Sequence, residues 1–217
     1  MTRRRDRSPF ERRRSVEILA VEGSSEKIYF DSLVRLGNTD MAVRTVNCHG
    51  GDLKNVRRVC ECLMKDTNRM PGDFLGVVID MDNTTKKEML EFMEWCEERE
   101  IETYISNPSF EVFLLMHFID VPSGISQHDM EDLLGRLQGR RYDKAKGIGI
   151  SDESVKAALA RADKALPPKS DAADCLERPG TTTVHRLVRK IASRFERTPE
   201  NRSFYRRIMT TRRKWES

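Results

Sequence analysis

Four short apolar segments, each followed by a turn and a helix-like stretch, constrain the fold of this chain more than any other feature. The first covers residues 16–22, is closed by Gly23-Ser24-Ser25 and precedes a helix that ends near Gly37-Asn38. The unit recurs with strands at 42–48, 74–81 and 101–106 and helices at 53–64, 84–99 and 108–118. Strands that alternate with helices of this length imply right-handed crossovers. We therefore predict an α/β fold with a mainly parallel four-stranded sheet flanked by helices.

Beyond Val121 the pattern changes to helices alone. Helical periodicity predicts helices at 127–138, 152–166, 182–196 and 203–214, with proline- and glycine-containing breaks between several of them. This divides the chain into a flexible basic arm at 1–14, an α/β domain at 15–120, and a helical C-terminal region with a basic tail at 121–217.

The net charge of +4 conceals a strong segregation of charge. Residues 1–14 carry +5 and residues 185–217 carry +8, which leaves −9 for residues 15–184. An acidic body with two basic ends is typical of a metal site with extensions that bind a polyanion such as RNA or DNA. Solvated, disordered tails would have the same composition.

The composition also bears on compartment. No stretch reaches the roughly 18–20 apolar residues of a membrane helix, and the arginine-rich start lacks the apolar core of a secretory signal. The five cysteines are an odd, scattered set without zinc-ligand spacing, and they are interpreted as buried or neutral thiols in a reducing environment. We expect a cytoplasmic protein with no membrane partner.

Three carboxylates are predicted to meet at one edge of the sheet. Glu22 follows the first strand, while Asp80 and Asp82 stand at the end of the third. Ligands bind outside the carboxyl ends of parallel strands, and residues i and i+2 of a strand point the same way. Clustered carboxylates repel each other unless a cation neutralises them, and oxygen ligands suit Mg²⁺ or Mn²⁺. The sequence thus predicts a divalent metal site in which Glu22, Asp80 and Asp82 act in catalysis.

Two further acidic residues are candidates for the same site. Glu26, four residues after Glu22, is a potential metal ligand, although the helix dipole alone would favour an acidic residue there. Glu111 follows the fourth strand and is a candidate catalytic residue. His117 lies on the apolar stripe of its helix and is predicted to be a packed side chain rather than a ligand.

Asn107-Pro108 predicts the start of the fourth helix, with Asn107 as its N-cap and Pro108 in its first turn. This would place Ser106 and Asn107 at the carboxyl end of the fourth strand, within reach of the acidic site.

Three motifs resemble those of a known family. VEGSSEKIYF, IDMDN and SNPSFEVFLLMHF are similar to the landmarks of RloB-like proteins, whose core is a TOPRIM domain. Tyr142-Asp143-Lys144 and residues 182–188 resemble the family's helical C-terminal half. The resemblance covers about residues 16–195.

The resemblance implies a metal site at Glu22, Asp80 and Asp82 and a role in bacterial defence against phage. It also implies nuclease action on RNA, with tRNA as one candidate, or on DNA. A partner defence protein such as an ATPase and assembly into a homo-oligomer are further expectations.

Two alternatives stay open. The chain could be a nucleic-acid sensor or adaptor with a vestigial site that acts through a partner. The run from Asp80 to Thr84 also fits the D-x-D-x-T motif of haloacid-dehalogenase-like phosphatases, in which the first aspartate is a nucleophile. That motif normally ends the first strand of its domain, whereas here it ends the third.

Overall fold

The computed structural model describes residues 17–37, 43–48, 52–65, 73–82, 84–195 and 202–209. The predicted basic arm at 1–14 and the last part of the predicted helix at 203–214 lie outside these residues.

The four predicted strands are present and parallel to one another. They are β1 (Glu17–Val21), β2 (Val43–Asn47), β3 (Phe74–Asp80) and β4 (Glu102–Asn107), and they lie side by side in the order β2-β1-β3-β4. Four helices follow them in turn: α1 (Ser24–Leu36), α2 (Leu53–Met64), α3 (Lys86–Glu97) and α4 (Glu111–Met116). The predicted α/β fold is confirmed.

Local chemistry explains where these helices begin. The Asp52 side chain accepts a hydrogen bond from the Asn55 backbone at the start of α2. At the start of α3, Thr85 and Glu88 form a reciprocal capping box. Both caps satisfy backbone N–H groups that a helix leaves without internal partners.

The predicted start of the fourth helix is wrong. Asn107 is the last residue of β4, the Asn107–Pro108 peptide is cis, and α4 begins only at Glu111. The Asn107 side chain donates instead to the carbonyl oxygens of Cys175 and Leu176. Asn107 therefore joins two parts of the chain rather than capping a helix.

A fifth strand was not predicted. β5 (Thr181–Thr182) pairs antiparallel with the end of β4, in the register Ser106 to Thr182 and Asn107 to Thr181. Thr183 follows it, and its Oγ1 accepts a hydrogen bond from the Ile105 N–H. The sequence had placed the start of a helix here, because two strand residues are too few for an alternating pattern to be visible.

The rest of the C-terminal region is helical, as predicted. Its helices are α5 (Gln127–Gln138), α6 (Asp152–Ala165), α7 (Ala172–Leu176), α8 (Val184–Phe195) and α9 (Arg202–Met209). The short α7 was not predicted, and α8 begins two residues later than expected. Among the helices of the described residues, none combines the length and apolar character that a bilayer crossing requires.

The hydrophobic core lies on both faces of the sheet. On one face, β1 and α1 pack with α4 and with side chains of the helical region, including Met130, Val155, Val188 and Ile208. On the other face, α2 and α3 cover the sheet around Cys60, Phe92 and Cys96. One core therefore crosses residue 120, the predicted boundary of the α/β domain.

Candidate metal and phosphate site

Glu22 and Asp80 lie side by side at the carboxyl edge of the sheet. Glu22 comes directly after β1, and its Oε2 accepts a hydrogen bond from the Asp80 N–H at 3.0 Å. Parallel pairing of β1 with β3 places the ends of these strands together. Burial raises the pKa of Glu22, and the nearby negative charge of Asp82 adds to that effect. The structure thus brings together two of the predicted site residues.

The Asp80 carboxyl lacks a partner for one of its oxygens. Oδ1 is buried without a hydrogen bond, while the carboxylate receives one from the Phe110 backbone. Burial raises the pKa of Asp80 well above its usual range, and the charges of Glu26, Glu22 and Glu111 raise it further. A buried carboxylate oxygen without a hydrogen bond, in a group that lies near other carboxylates, has the character of a cation ligand.

Glu26 lies in the first turn of α1 and is buried. Burial raises its pKa to about 7, and the charges of Glu111 and Glu22 contribute to the rise. A Cβ atom on Gly23 would stand 3.2 Å from the Glu26 Oε2, so the glycine leaves room for this carboxylate. Glu26 therefore belongs to the acidic cluster of Glu22, Glu26, Asp80 and Glu111.

Asp82 occupies a different position from the one that strand geometry predicted. β3 ends at Asp80, and Asp82 lies in the following turn with its side chain exposed. The rule that residues i and i+2 of a strand point the same way therefore does not apply to this pair. Asp82 acts on the cluster through its charge, which raises the pKa of Glu22.

Glu111 is in the cluster but is heavily hydrogen-bonded. Its carboxylate is buried and accepts from Ser25 Oγ at 3.3 Å, Tyr142 OH at 3.2 Å and Ser109 Oγ at 2.8 Å. Both oxygens are engaged. Glu111 thus links α1, α4 and the loop that carries Tyr142, and it adds negative charge next to Asp80.

A lysine from the C-terminal region lies next to the acidic cluster. Lys144 Nζ lies 3.4 Å from Glu111 Oε1 and 3.1 Å from Glu131 Oε1. Its positive charge also lowers the pKa of Glu22 and Glu26 against the effect of burial. Ser25, Ser109, Tyr142 and Lys144 were not among the predicted site residues. Tyr142 and Lys144 stood out in the sequence only through the family resemblance.

Three other residues near this edge face elsewhere. Ser106 Oγ is 3.0 Å from Thr182 Oγ1, so it faces β5, and Asn107 reaches α7. His117 is buried between the rings of Tyr29 and Phe113, as a packed side chain, and its Nδ1 lies 3.1 Å from Ser154 Oγ.

The cysteines are free thiols. Cys48, Cys60, Cys96 and Cys175 are buried, and Cys62 is exposed. Cys48 follows β2 at the same edge as Glu22. Burial, helped by the charges of Glu22 and Glu26, raises the pKa of Cys48 to about 12 and so keeps this thiol protonated.

Most described cations of α8 pair within the protein. Arg186 donates to the Ser170 carbonyl oxygen, Arg189 binds Asp163 with two hydrogen bonds of 2.8 and 2.6 Å, and Lys190 pairs with Glu102. The basic C-terminal region predicted from net charge is therefore partly an internal ion-pair system.

The donor set of the cluster suits a hard divalent cation. All of its ligands would be carboxylate oxygens, and Asp80 Oδ1 has no other partner. Among the described residues, however, no group of three or more acidic, histidine or cysteine side chains lies close enough together to hold a metal ion. A metal at this edge would require the carboxylates of Glu22, Glu26 and Asp80 to lie closer together than they do in this structure.

Comparison with known proteins identifies one family. The family model described as RloB-like protein matches residues 18–191, a span that includes the acidic cluster, Asp82 and Lys144. No curated protein and no solved structure matches the chain.

Proposed function

The chain belongs to the RloB-like protein family, and we propose that it is a metal-dependent nuclease that cleaves phosphodiester bonds of RNA, with tRNA as one candidate, or of DNA. The proposal includes a TOPRIM-type site and a role in bacterial anti-phage defence. The observation that carries it is the buried, unpartnered oxygen of Asp80 beside Glu22.

In this proposal, the chain's own residues have distinct tasks. Asp80 and Glu22 hold Mg²⁺ or Mn²⁺, and because Glu22 Oε2 accepts from the Asp80 N–H, Oε1 is left for the ion or for a proton. A bound divalent ion polarises a phosphate oxygen and activates water. Glu26 and Asp82 add negative charge that strengthens cation binding. Glu111 holds α1, α4 and the Tyr142 loop in place around the site.

The test uses the purified full chain and the variant Asp80→Asn. Labelled tRNA, single-stranded RNA and single-stranded DNA are incubated with Mg²⁺, with Mn²⁺ or with EDTA. We expect cleavage of at least one substrate that requires the metal and falls at least about a hundredfold in Asp80→Asn. The control is Glu94→Gln, an exposed carboxylate on α3. Equal cleavage by the wild type and Asp80→Asn, or cleavage in EDTA, would remove the proposal.

A second candidate is a nucleic-acid sensor that binds without cleavage and acts through a partner protein such as an ATPase. The position of Lys144 favours it, because a fixed cation already offsets part of the carboxylate charge. Nucleic-acid binding that is unchanged in Asp82→Ala, without turnover by the wild type, would support this function over the nuclease.

A further inference from the structure

The loop between α5 and α6 brings a cation from the helical region to the acidic cluster. Tyr142, in this loop, is buried, and its hydroxyl lies 3.2 Å from both Ser25 Oγ and Glu111 Oε1. Five residues after Tyr142, Gly147 has a φ of +59°, and a Cβ there would stand 2.8 Å from Ile28 Cγ2. The loop therefore packs closely on α1 at both ends of the segment that contains Lys144.

The position of Lys144 is unfavourable for a metal site taken alone. Its ammonium pairs with Glu111 and Glu131 and weakens the negative potential at Glu22 and Glu26. A cation held this near reduces the affinity of the same carboxylates for Mg²⁺. The arrangement becomes favourable once an anion is brought to the site, because a phosphate next to the metal supplies the negative charge that the ammonium needs.

Lys144 is exposed enough for its ammonium to take a phosphate from solvent as an additional partner. The side chain is 46% exposed, whereas its partner Glu111 is 2% exposed. One side of the ammonium thus faces a buried carboxylate and the other faces solvent, from which a polyanion would approach. The charges on Glu111 and Glu131 raise the pKa of Lys144 although burial opposes the rise, so this group is cationic at neutral pH.

We propose that Lys144 is a substrate-positioning residue that binds a phosphate of the nucleic acid next to the metal site. This inference rests on the proposed function for the identity of the anion. It assigns a task to the helical C-terminal region: the loop after α5 supplies the phosphate contact, and the carboxyl edge of the sheet supplies the metal ligands.

The experiment measures how the affinity for a phosphodiester polyanion depends on salt. The full chain is titrated into fluorescein-labelled 20-nucleotide RNA, and in parallel DNA, with Ca²⁺ at several NaCl concentrations, and a denaturing gel verifies that the probe stays intact. The variants are Lys144→Gln, Lys144→Arg and the control Lys146→Gln. Lys146 is in the same loop, 71% exposed, and pairs with Asp143.

Loss of one phosphate contact on a single strand lowers the slope of log K against log salt by about 0.7. We expect this reduction, with a several-fold weaker affinity at low salt, in Lys144→Gln alone. Lys144→Arg should keep the slope, because the charge remains. A lysine with a merely structural role would change thermal stability without changing the slope.

Two results would overturn the inference: a wild-type slope in folded Lys144→Gln, or an equal reduction in Lys146→Gln. The outcome is separable from that of the nuclease proposal. A protein that binds RNA through Lys144 but does not cleave it would contradict only the nuclease. A protein that cleaves by means of Asp80 with an unchanged slope in Lys144→Gln would contradict only the role of Lys144. Absence of binding to both probes would reject this role for Lys144.

Discussion

The backbone N–H of Asp80 donates to Oε2 of Glu22 across 3.0 Å, although 58 residues separate the two in the sequence. The contact orients the Glu22 carboxylate at the point where β1 and β3 end. Glu22 therefore contributes two separate properties, a hydrogen-bond acceptor for the Asp80 N–H and a negative charge. Different substitutions of Glu22 can remove the charge alone or both properties.

Glu22→Gln and Glu22→Ala should therefore differ in stability but not in metal binding. Both remove the charge, and both should weaken Mn²⁺ binding at least about tenfold. Electron paramagnetic resonance of free Mn²⁺ measures this affinity. Only alanine also removes the acceptor of the Asp80 N–H, which should lower the free energy of unfolding by about 1 kcal/mol in urea titrations. Equal stability of the two variants would contradict the structural role of this hydrogen bond.

Asp80→Asn should stabilise the metal-free protein while it abolishes the response to metal. Burial and the neighbouring carboxyls raise the pKa of Asp80, so ionisation of this carboxyl costs free energy in the folded state. Its removal should increase the free energy of unfolding by about 1–3 kcal/mol in EDTA. Added Mn²⁺ should then raise the melting temperature of the wild type but not of the variant. Destabilisation of Asp80→Asn in EDTA would show that the carboxylate charge is compensated within the protein.

His117 should make the protein less stable in mild acid. Burial, with a contribution from Arg161, lowers its pKa to about 3. Its Nδ1 faces Ser154 of α6, and the ring packs on Tyr29 of α1. Since the unfolded chain binds a proton near the ordinary histidine pKa and the folded chain does not, stability is complete above that pKa and is lost as the pH falls towards 3.

His117→Gln tests this linkage, because glutamine is neutral throughout. Between about pH 6 and pH 4, the dependence of unfolding free energy on pH should be smaller than in the wild type by up to about 1.4 kcal/mol per pH unit. The control is His128→Gln on α5, whose side chain is 84% exposed. Identical slopes for the wild type and His117→Gln would contradict a buried, neutral imidazole.

Asp163→Ala should destabilise the contact between α6 and α8. Asp163 accepts two hydrogen bonds from Arg189 and lies 3.6 Å from His185 Nε2. Both partners of the Arg189 pair are about 30% exposed, so loss of the pair should cost about 1–3 kcal/mol, less than a fully buried pair. Asp120→Ala breaks the exposed pair with Lys164 and a 3.8 Å contact with Arg161, and it should cost under about 1 kcal/mol. Similar losses of unfolding free energy in the two variants would contradict a larger contribution from the Asp163–Arg189 pair.

The fragment 15–120 should not fold alone, although the sequence pattern predicts an α/β domain with these bounds. Phe30 and Phe113 share one core with Val188 and Ile191 of α8, and β4 pairs with β5. Removal of the helical region would expose this core. We expect the fragment to lack a cooperative thermal transition by circular dichroism, whereas the full chain has one. A cooperative transition in the fragment would establish two separate folding units.

Part of the candidate site could be predicted from sequence because strand ends are visible there. Glu22 and Asp80 each close an apolar run, and parallel strands have their carboxyl ends at one edge. The position of Asp82 could not be predicted, because a turn begins after Asp80 and local alternation no longer applies. The start of α4 was mistaken for a similar reason, since Asn107 is a residue type that also caps helices, but its side chain instead binds α7.

The sequence by itself determined the alternation of strands and helices, the parallel direction of the first four strands and the presence of Glu22 and Asp80 at one edge of the sheet, since these follow from local periodicity and the direction of the chain. Tertiary structure alone decided that Tyr142 meets Ser25 across 117 residues, that Lys144 lies among the carboxylates and that β5 completes the sheet. These contacts depend on how the helical region packs onto α1 and α4, and packing between distant segments leaves no period in the sequence.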